Sequence, residues 1–299
     1  KGFNLPNTKI SLPSLTKKDR ADLAFILTQP INWIALSFVR TAKEINELRD
    51  IINQHNSHLK IVAKIEKPEA VANIDSIIKA TDAVMVARGD LGVEVAMEEM
   101  PLIQKNIILK CIANARPVII ATQVMESMID MSRPSRAEIT DVANGVLDGA
   151  DAIMLSGETS VGKNPARVVQ TIDKIIRRTE QEDEIYHKHQ LPNKASATFL
   201  SDAICFNACK IAADVDAKAI NGMTYSGYTA FMLASNRPKA AIHIFTSNKH
   251  LLNQLGLIWG VDVFFYNKFV STDESIDDII NILKKEKEVV TGDIIVSTA

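Results

Sequence analysis

Three charged side chains stand where apolar runs end, and together they could handle phosphate or enolate oxygens. Lys64 and Glu66 close the run Ile61-Val62-Ala63-Lys64-Ile65-Glu66, and Asp90 follows Ala83-Val84-Met85-Val86-Ala87 by way of Arg88-Gly89. In a β-strand alternate side chains share a face, so Lys64 and Glu66 point the same way. Glu66 and Asp90, ending neighbouring strands, supply two carboxylates that could converge on one divalent ion. Mg²⁺ is commonly held in this way, with water and substrate oxygens completing its shell. Lys64 lies one pleat away, where a fixed cation suits an anion in transit better than a nucleophile's task. The glycine-rich Arg88-Gly89-Asp90-Leu91-Gly92 could open a short helix whose N–H groups accept a carboxylate or phosphate. Thr122 ends a further apolar run and could relay a proton. Each feature also has a plain reading: Lys-x-Glu as an ion pair on an exposed edge strand, Arg-Gly-Asp as a turn, Thr122 as a hydroxyl capping the next turn.

The elements that must position these groups repeat. Trp33–Val39, Ile61–Glu66, Ala83–Ala87, Pro117–Ala121 and Ala152–Leu155 read as buried parallel strands, rich in Val, Ile and Ala, with polar residues gathered at their C-terminal ends. That is the pattern of a (β/α)8 barrel with its active site on that face. Helices are expected from Thr16 to Pro30, over Ala42–Asn53, Glu69–Ala80 and Met97–Ala115, from the capping box Ser135-Arg-Ala-Glu138 to Gly149, and over Pro165–Glu180. The residues Lys1–Pro13 read as irregular. Only about five βα units are present over residues 1–182, short of the ~250 residues of a closed barrel.

A polar stretch, residues 183–195, reads as a linker. It carries His187 and His189, a two-histidine pair that suits a solvated hinge better than a metal site. Residues 196–299 then alternate helix and strand on a new period: helix Asp202–Ala213, strand Ala219-Ile220, helix Thr229–Ser235, strand Ala241–Phe245, helix Leu251–Trp259, strand Val261–Tyr266, helix Ser275–Glu286 and strand Asp293–Ser297. This is a second, smaller α/β unit with an open sheet. The fold class expected for the whole is therefore α/β, a partial TIM barrel followed by an open-sheet α/β/α domain.

Composition narrows the function. Lys plus Arg number 34 against 36 for Asp plus Glu over 299 residues, so no global field argues for nucleic acid or an anionic membrane. No apolar run reaches the ~20 residues of a transmembrane helix. Cys111, Cys205 and Cys209 have no metal-binding spacing, which suits a reducing, cytoplasmic setting.

The specificity comes from the motifs taken together. Lys64-Ile-Glu66 is followed by Met85-Val-Ala-Arg-Gly-Asp-Leu-Gly-Val-Glu94, Ala121-Thr-Gln123 with Glu126-Ser-Met128, Arg133-Pro-Ser-Arg-Ala-Glu138, Asp141-Val-Ala-Asn144 and Met154-Leu-Ser-Gly-Glu-Thr159. In this order the sequence closely resembles the pyruvate kinases, over the whole chain and most strongly across residues 61–160. The resemblance implies transfer of the phosphoryl group of phosphoenolpyruvate to ADP, giving pyruvate and ATP. It places Lys64 as the lysine that stabilises the moving phosphoryl group, Glu66 and Asp90 as ligands of Mg²⁺ (or Mn²⁺), Arg88, Gly89 and Asp90 at the substrate, and Thr122 at protonation of the enolate. It also implies K⁺, with ligands outside this chain, and a homotetramer. Thr224-Tyr-Ser-Gly-Tyr-Thr-Ala230 resembles the family's loop for a sugar-phosphate effector, with Thr224, Ser226, Gly227 and Thr229 as its candidate contacts; a plain turn explains the same residues.

Val124, Ser135 and Ala96 depart from the family pattern without touching these positions. The larger departure is in extent. The family's first barrel strands, its lid domain and its last C-terminal strand have no counterpart in the chain, which is accordingly expected to be inactive alone. Two other readings compete: a metal-dependent aldolase or lyase barrel acting on pyruvate-type acids, and a non-catalytic body serving only oligomerisation or effector binding. The first needs neither a lysine beside Glu66 nor an appended α/β unit.

Overall fold

The structure is a computed structural model that describes residues 14–55, 57–188, 191–268 and 270–298. The segment read as irregular before Ser14, and His189 of the histidine pair, lie outside these residues. Contacts within the chain divide it into two compact units, Lys1–Ile185 and Tyr186–Ala299.

In the first unit five parallel strands lie in sequence order: β1 (Trp33–Leu36), β2 (Lys60–Ile65), β3 (Ala83–Ala87), β4 (Val118–Ala121) and β5 (Ala152–Met154). Parallel neighbours require a crossover, and helices such as Ala42–Gln54, Ile74–Ala80, Met100–Ala113 and Arg136–Asp148 provide it. The register sets Lys64 opposite Met85 and Ala87 opposite Ala121. The C-terminal ends of β2, β3 and β4 therefore lie side by side.

The strands are apolar on both faces, as in parallel sheets covered on each side. Ile61, Ala63, Ile65, Val84, Val86, Val118 and Ile120 pack against Ile45, Leu48, Ile77, Ile107 and Ile108 of the helices, forming the main core. Lys64 belongs to the opposite set, with Val62. Burial of each large aliphatic side chain contributes ~1.5–3 kcal/mol, so this core holds the strands themselves in place.

Helix ends follow local chemistry. Thr16 and Ser135 each make the reciprocal capping-box bonds, and Gly149 ends its helix at φ 100°, a left-handed conformation open to glycine. Three expected helices differ. The helix expected over Glu69–Ala80 is broken at Asn73 into Pro68–Ala72 and Ile74–Ala80. The helix expected from Met97 starts at Met100, with Pro101 in its first turn, where proline's missing N–H costs nothing. The helix expected over Leu251–Trp259 runs only from Lys249 to Gln254 and continues as a 3-10 turn, Leu255–Leu257.

The second unit is a four-stranded sheet in the order β8-β7-β6-β9, all pairs parallel. Its strands are β6 (Ala219–Met223), β7 (Ala241–Thr246), β8 (Val261–Phe265) and β9 (Ile295–Thr298). One face carries Ala219, Phe245 and Phe264 against Ile279 and Leu283 of helix Thr272–Lys285.

Candidate active site

Lys64 and Glu66 meet as strand alternation expects. Lys64 Nζ lies 2.6 Å from Glu66 Oε1 and donates to Ser37 Oγ at 3.0 Å. Glu66 is 1% exposed, and its Oε2 accepts the Phe38 N–H at 2.7 Å. A buried carboxylate is costly unless paired and hydrogen-bonded, and here it is both. Ser37 and Phe38 were not singled out from sequence, because Trp33–Val39 reads as one unbroken strand. Instead β1 stops at Leu36 and Phe38 turns at φ 54°, a left-handed conformation that a bulky residue adopts only when its surroundings hold it there. Glu44 helps to hold it by accepting the backbone N–H groups of Arg40 and Thr41 and pairing with the Arg40 guanidinium. Burial works against its charged form, yet those bonds outweigh it and keep the Glu44 carboxyl below its ordinary range.

At the end of β3 the chain passes directly into the helix Arg88–Glu94, and Gly89 meets Thr122. The Gly89 N–H donates to Thr122 Oγ1 at 2.7 Å, while that hydroxyl donates to the Ala121 carbonyl at 2.6 Å. A Cβ on residue 89 would stand 3.2 Å from Thr122 Oγ1 and would press on that hydroxyl. Thr122 and Gln123 follow β4 with φ of 67° and 52°, two consecutive left-handed residues and a second strained strand end.

Arg88 holds that strained turn. Its Nη2 donates to the Thr122 and Gln123 carbonyls at 2.9 and 3.1 Å, its Nε to the Thr122 carbonyl at 3.3 Å, and its Nη1 to both Asp141 oxygens at 2.7 and 2.6 Å. Every nitrogen of the guanidinium thus has a protein acceptor, and the side chain is only 10% exposed. The following loop is pinned by two more carboxylates. Glu158, 3% exposed, accepts the Met125 and Ser156 N–H groups. Glu138 accepts from the Ser127 and Ser135 N–H groups at 2.8 and 2.7 Å. Burial opposes the ionisation of Glu138, but the Ser127 and Ser135 bonds prevail and hold its carboxyl below the usual range.

Asp90 is exposed, and among the described residues its carboxylate takes part in no hydrogen bond or ion pair. It is the free carboxylate of the set, available to a cation, while Glu66 is the engaged one. Both Glu66 oxygens keep a further lone pair, so Glu66 and Asp90 could offer two carboxylates to a hard divalent ion. A cation on Glu66 Oε1 would compete with the Lys64 ammonium and turn it toward whatever anion lies alongside.

These groups sit at adjoining strand ends of one sheet, and the comparisons identify the sheet. The pattern described as pyruvate kinase, barrel domain, matches residues 1–169, and that described as pyruvate kinase, alpha/beta domain, matches residues 202–299. The chain belongs to the pyruvate kinase family. It is 46% identical over 300 residues to a pyruvate kinase of Geobacillus stearothermophilus, covering all of this chain and 51% of the relative. To that of Corynebacterium efficiens it is 43% identical, covering 62% of the relative. A crystal structure of a pyruvate kinase from Cryptosporidium parvum superposes with a TM-score of 0.92 at 36% identity, covering 99% of this chain and 62% of that one. The chain thus spans about half to three fifths of the length of these family members.

The loop resembling the family's effector loop lies between β6 and helix Tyr228–Ser235. Thr224 Oγ1 accepts the Gly227 N–H at 3.1 Å, and Ser226 Oγ accepts the Tyr228 N–H at 3.3 Å. Gly227 sits at φ 85° against Leu251. Both hydroxyls serve as acceptors within the turn and keep their protons for other acceptors. Thr229 lies in the first turn of the helix, half-buried.

Proposed function

We propose that the ends of β2, β3 and β4 form the phosphoryl-transfer centre of a pyruvate kinase, moving the phosphoryl group of phosphoenolpyruvate to ADP. The observation that carries this is the Lys64–Glu66 pair, a buried carboxylate and a partly exposed ammonium 2.6 Å apart, with the free carboxylate of Asp90 just past the end of the neighbouring strand. A divalent ion, Mg²⁺ or Mn²⁺, would be held by Glu66 and Asp90 and would supply charge neutralisation for phosphoryl and enolate oxygens. In phosphoryl transfer, positioning and electrostatics supply most of the rate enhancement.

Each residue has a task in this reading. The bond from the enol oxygen to phosphorus breaks as one forms to a terminal oxygen of ADP, and Lys64 stabilises the group in flight. The remaining enolate takes a proton at its methylene carbon to give pyruvate. Thr122 would deliver or relay that proton once its O–H turns from the Ala121 carbonyl, and the Gly89 N–H contact to the same oxygen leaves this rotation free. Arg88 we assign to positioning, because its donors are spent on Asp141 and the Thr122 turn. K⁺, a homotetramer, a cytoplasmic location and a sugar-phosphate effector at Thr224, Ser226, Gly227 and Thr229 belong to the same proposal and rest on family membership. Among the described residues no helix is long and apolar enough to cross a membrane. An aldolase or lyase reading gains nothing from a lysine bonded to the metal-site carboxylate.

The test is a coupled assay of the native protein with phosphoenolpyruvate, ADP, Mg²⁺ and K⁺. Stoichiometric pyruvate and ATP, abolished by chelation, are expected. Cleavage of a carbon–carbon bond in a pyruvate-type acid, with no ATP formed, would overturn the proposal.

A further inference from the structure

The second unit places an unpartnered imidazole inside its sheet. His243 lies in the middle of β7 with no exposed surface, and neither ring nitrogen has a hydrogen-bond partner. It stands opposite Asp262 of β8 in the parallel register. Asp262 Oδ2 is 3.8 Å from His243 Nδ1, beyond hydrogen-bond length. Glu288 approaches the same imidazole from the segment after helix Thr272–Lys285. Its N–H bonds the Leu283 carbonyl at 2.9 Å, and the adjacent Val289 is 2% exposed. One ligand atom from each of His243, Asp262 and Glu288 lies within 4.8 Å of the other two.

We propose that His243, Asp262 and Glu288 form a binding site for one divalent transition-metal ion of the zinc type. Three features support it. A buried imidazole with both nitrogens unpartnered is unfavourable, and a metal bond removes part of that cost. Two carboxylates balance the ion's charge when the imidazole is neutral, and burial pushes the His243 pKa down, against the pull of the two acids. One imidazole with two carboxylates suits zinc rather than Mg²⁺ or Ca²⁺, which take oxygen ligands. Bonds of about 2.0–2.2 Å require the three ligand atoms to draw together. Asp262, 67% exposed at its side chain, and the half-buried Glu288 are free enough to do so. The Phe264 ring, 5.8 Å from the imidazole and edge-on, and Phe245 stacked on it give the site an apolar wall. The bound ion would tie β7 and β8 to the chain leaving the helix.

Zinc is titrated calorimetrically into the full chain in the presence of millimolar Mg²⁺, which occupies carboxylate-only sites, while the imidazole ¹⁵N resonances are followed by NMR. One equivalent should bind and shift the His243 resonances. Binding should weaken by about tenfold or more in both Asp262→Asn and Glu288→Gln, and stay unchanged in His250→Gln. The two carboxamide variants alter side chains that are not fully buried, and their metal-free circular dichroism should match the parent. No zinc bound, unmoved His243 resonances, or undiminished binding in either carboxamide variant overturns the proposal.

Discussion

The two sheets use charge in opposite ways. In the first, charge stands toward the strand ends: Lys64, Glu66, Arg88 and Asp90 gather at the C-terminal ends of β2 and β3, and Lys60 at the start of β2 pairs with Asp82 just before β3. In the second, β6, β7 and β8 carry Asn221, His243 and Asp262 side by side in mid-strand, and Asn221 and His243 are buried with unpartnered nitrogens. Charge at a strand end can be desolvated by degrees, held by neighbouring turns and still reach a ligand. Polar groups inside a sheet have only each other, or something brought to them. Left-handed non-glycine residues follow the C-terminal ends of the first sheet's strands at Phe38, Thr122 and Gln123, whereas in the second unit they lie elsewhere, at His187, Asp216, Arg237 and Lys287, and the turn after β6 assigns that conformation to Gly227.

Substitutions should break or sharpen this contrast in a definite order. Lys64→Met should have the largest effect, lowering kcat by ~10²–10³-fold or more, as loss of a preorganised charge at a transition state does. Its steady-state kinetics would show whether strand-end charge is catalytic. Arg88→Met should cost ~2–3 kcal/mol of stability in urea melts, because it orphans Asp141 and releases the Thr122 turn, and activity should fall with it. Gly89→Ala should lower kcat by about tenfold, ~1.4 kcal/mol, by pressing on Thr122 Oγ1, with little change in melting temperature. Gly227→Ala, in the other sheet's turn, should cost ~1–2 kcal/mol in urea melts by forcing a side chain into a left-handed backbone.

The smallest effect concerns pH. Glu44 and Glu138, which brace the two strained strand ends, both have folded pKa values below their ordinary ones. Their contribution is therefore fully present above the unfolded carboxylate range and lost as pH falls through the depressed folded values. Urea midpoints should drop below about pH 4.3, and Glu138→Gln should flatten that drop.

Much of the first unit was legible because its signals are local. Strand alternation brought Lys64 onto Glu66, and the cap at Thr16 and the capping box at Ser135 marked two helix starts. The partnership of Gly89 with Thr122 was not legible, since it depends on the register of β3 on β4. Nor was the engagement of Arg88, whose partners lie 34 to 53 residues away. The turn at Phe38 had no glycine to mark it, and Pro101, which did mark a helix start, lay inside a longer periodic run. In the second unit, strands were read to within a few residues, but the polar row through Asn221, His243 and Asp262 exists only across three strands and left no motif in the sequence.

The account turns on whether the strand ends hold a cation between Glu66 and Asp90 with Lys64 alongside. Anomalous diffraction from crystals grown with Mn²⁺ and phosphoenolpyruvate tests this most directly. A single strong peak bonded to both carboxylates, with Lys64 Nζ on the substrate phosphate, is the result expected. Manganese bound elsewhere, with Lys64 still paired to Glu66 and the substrate away from the strand ends, would contradict it.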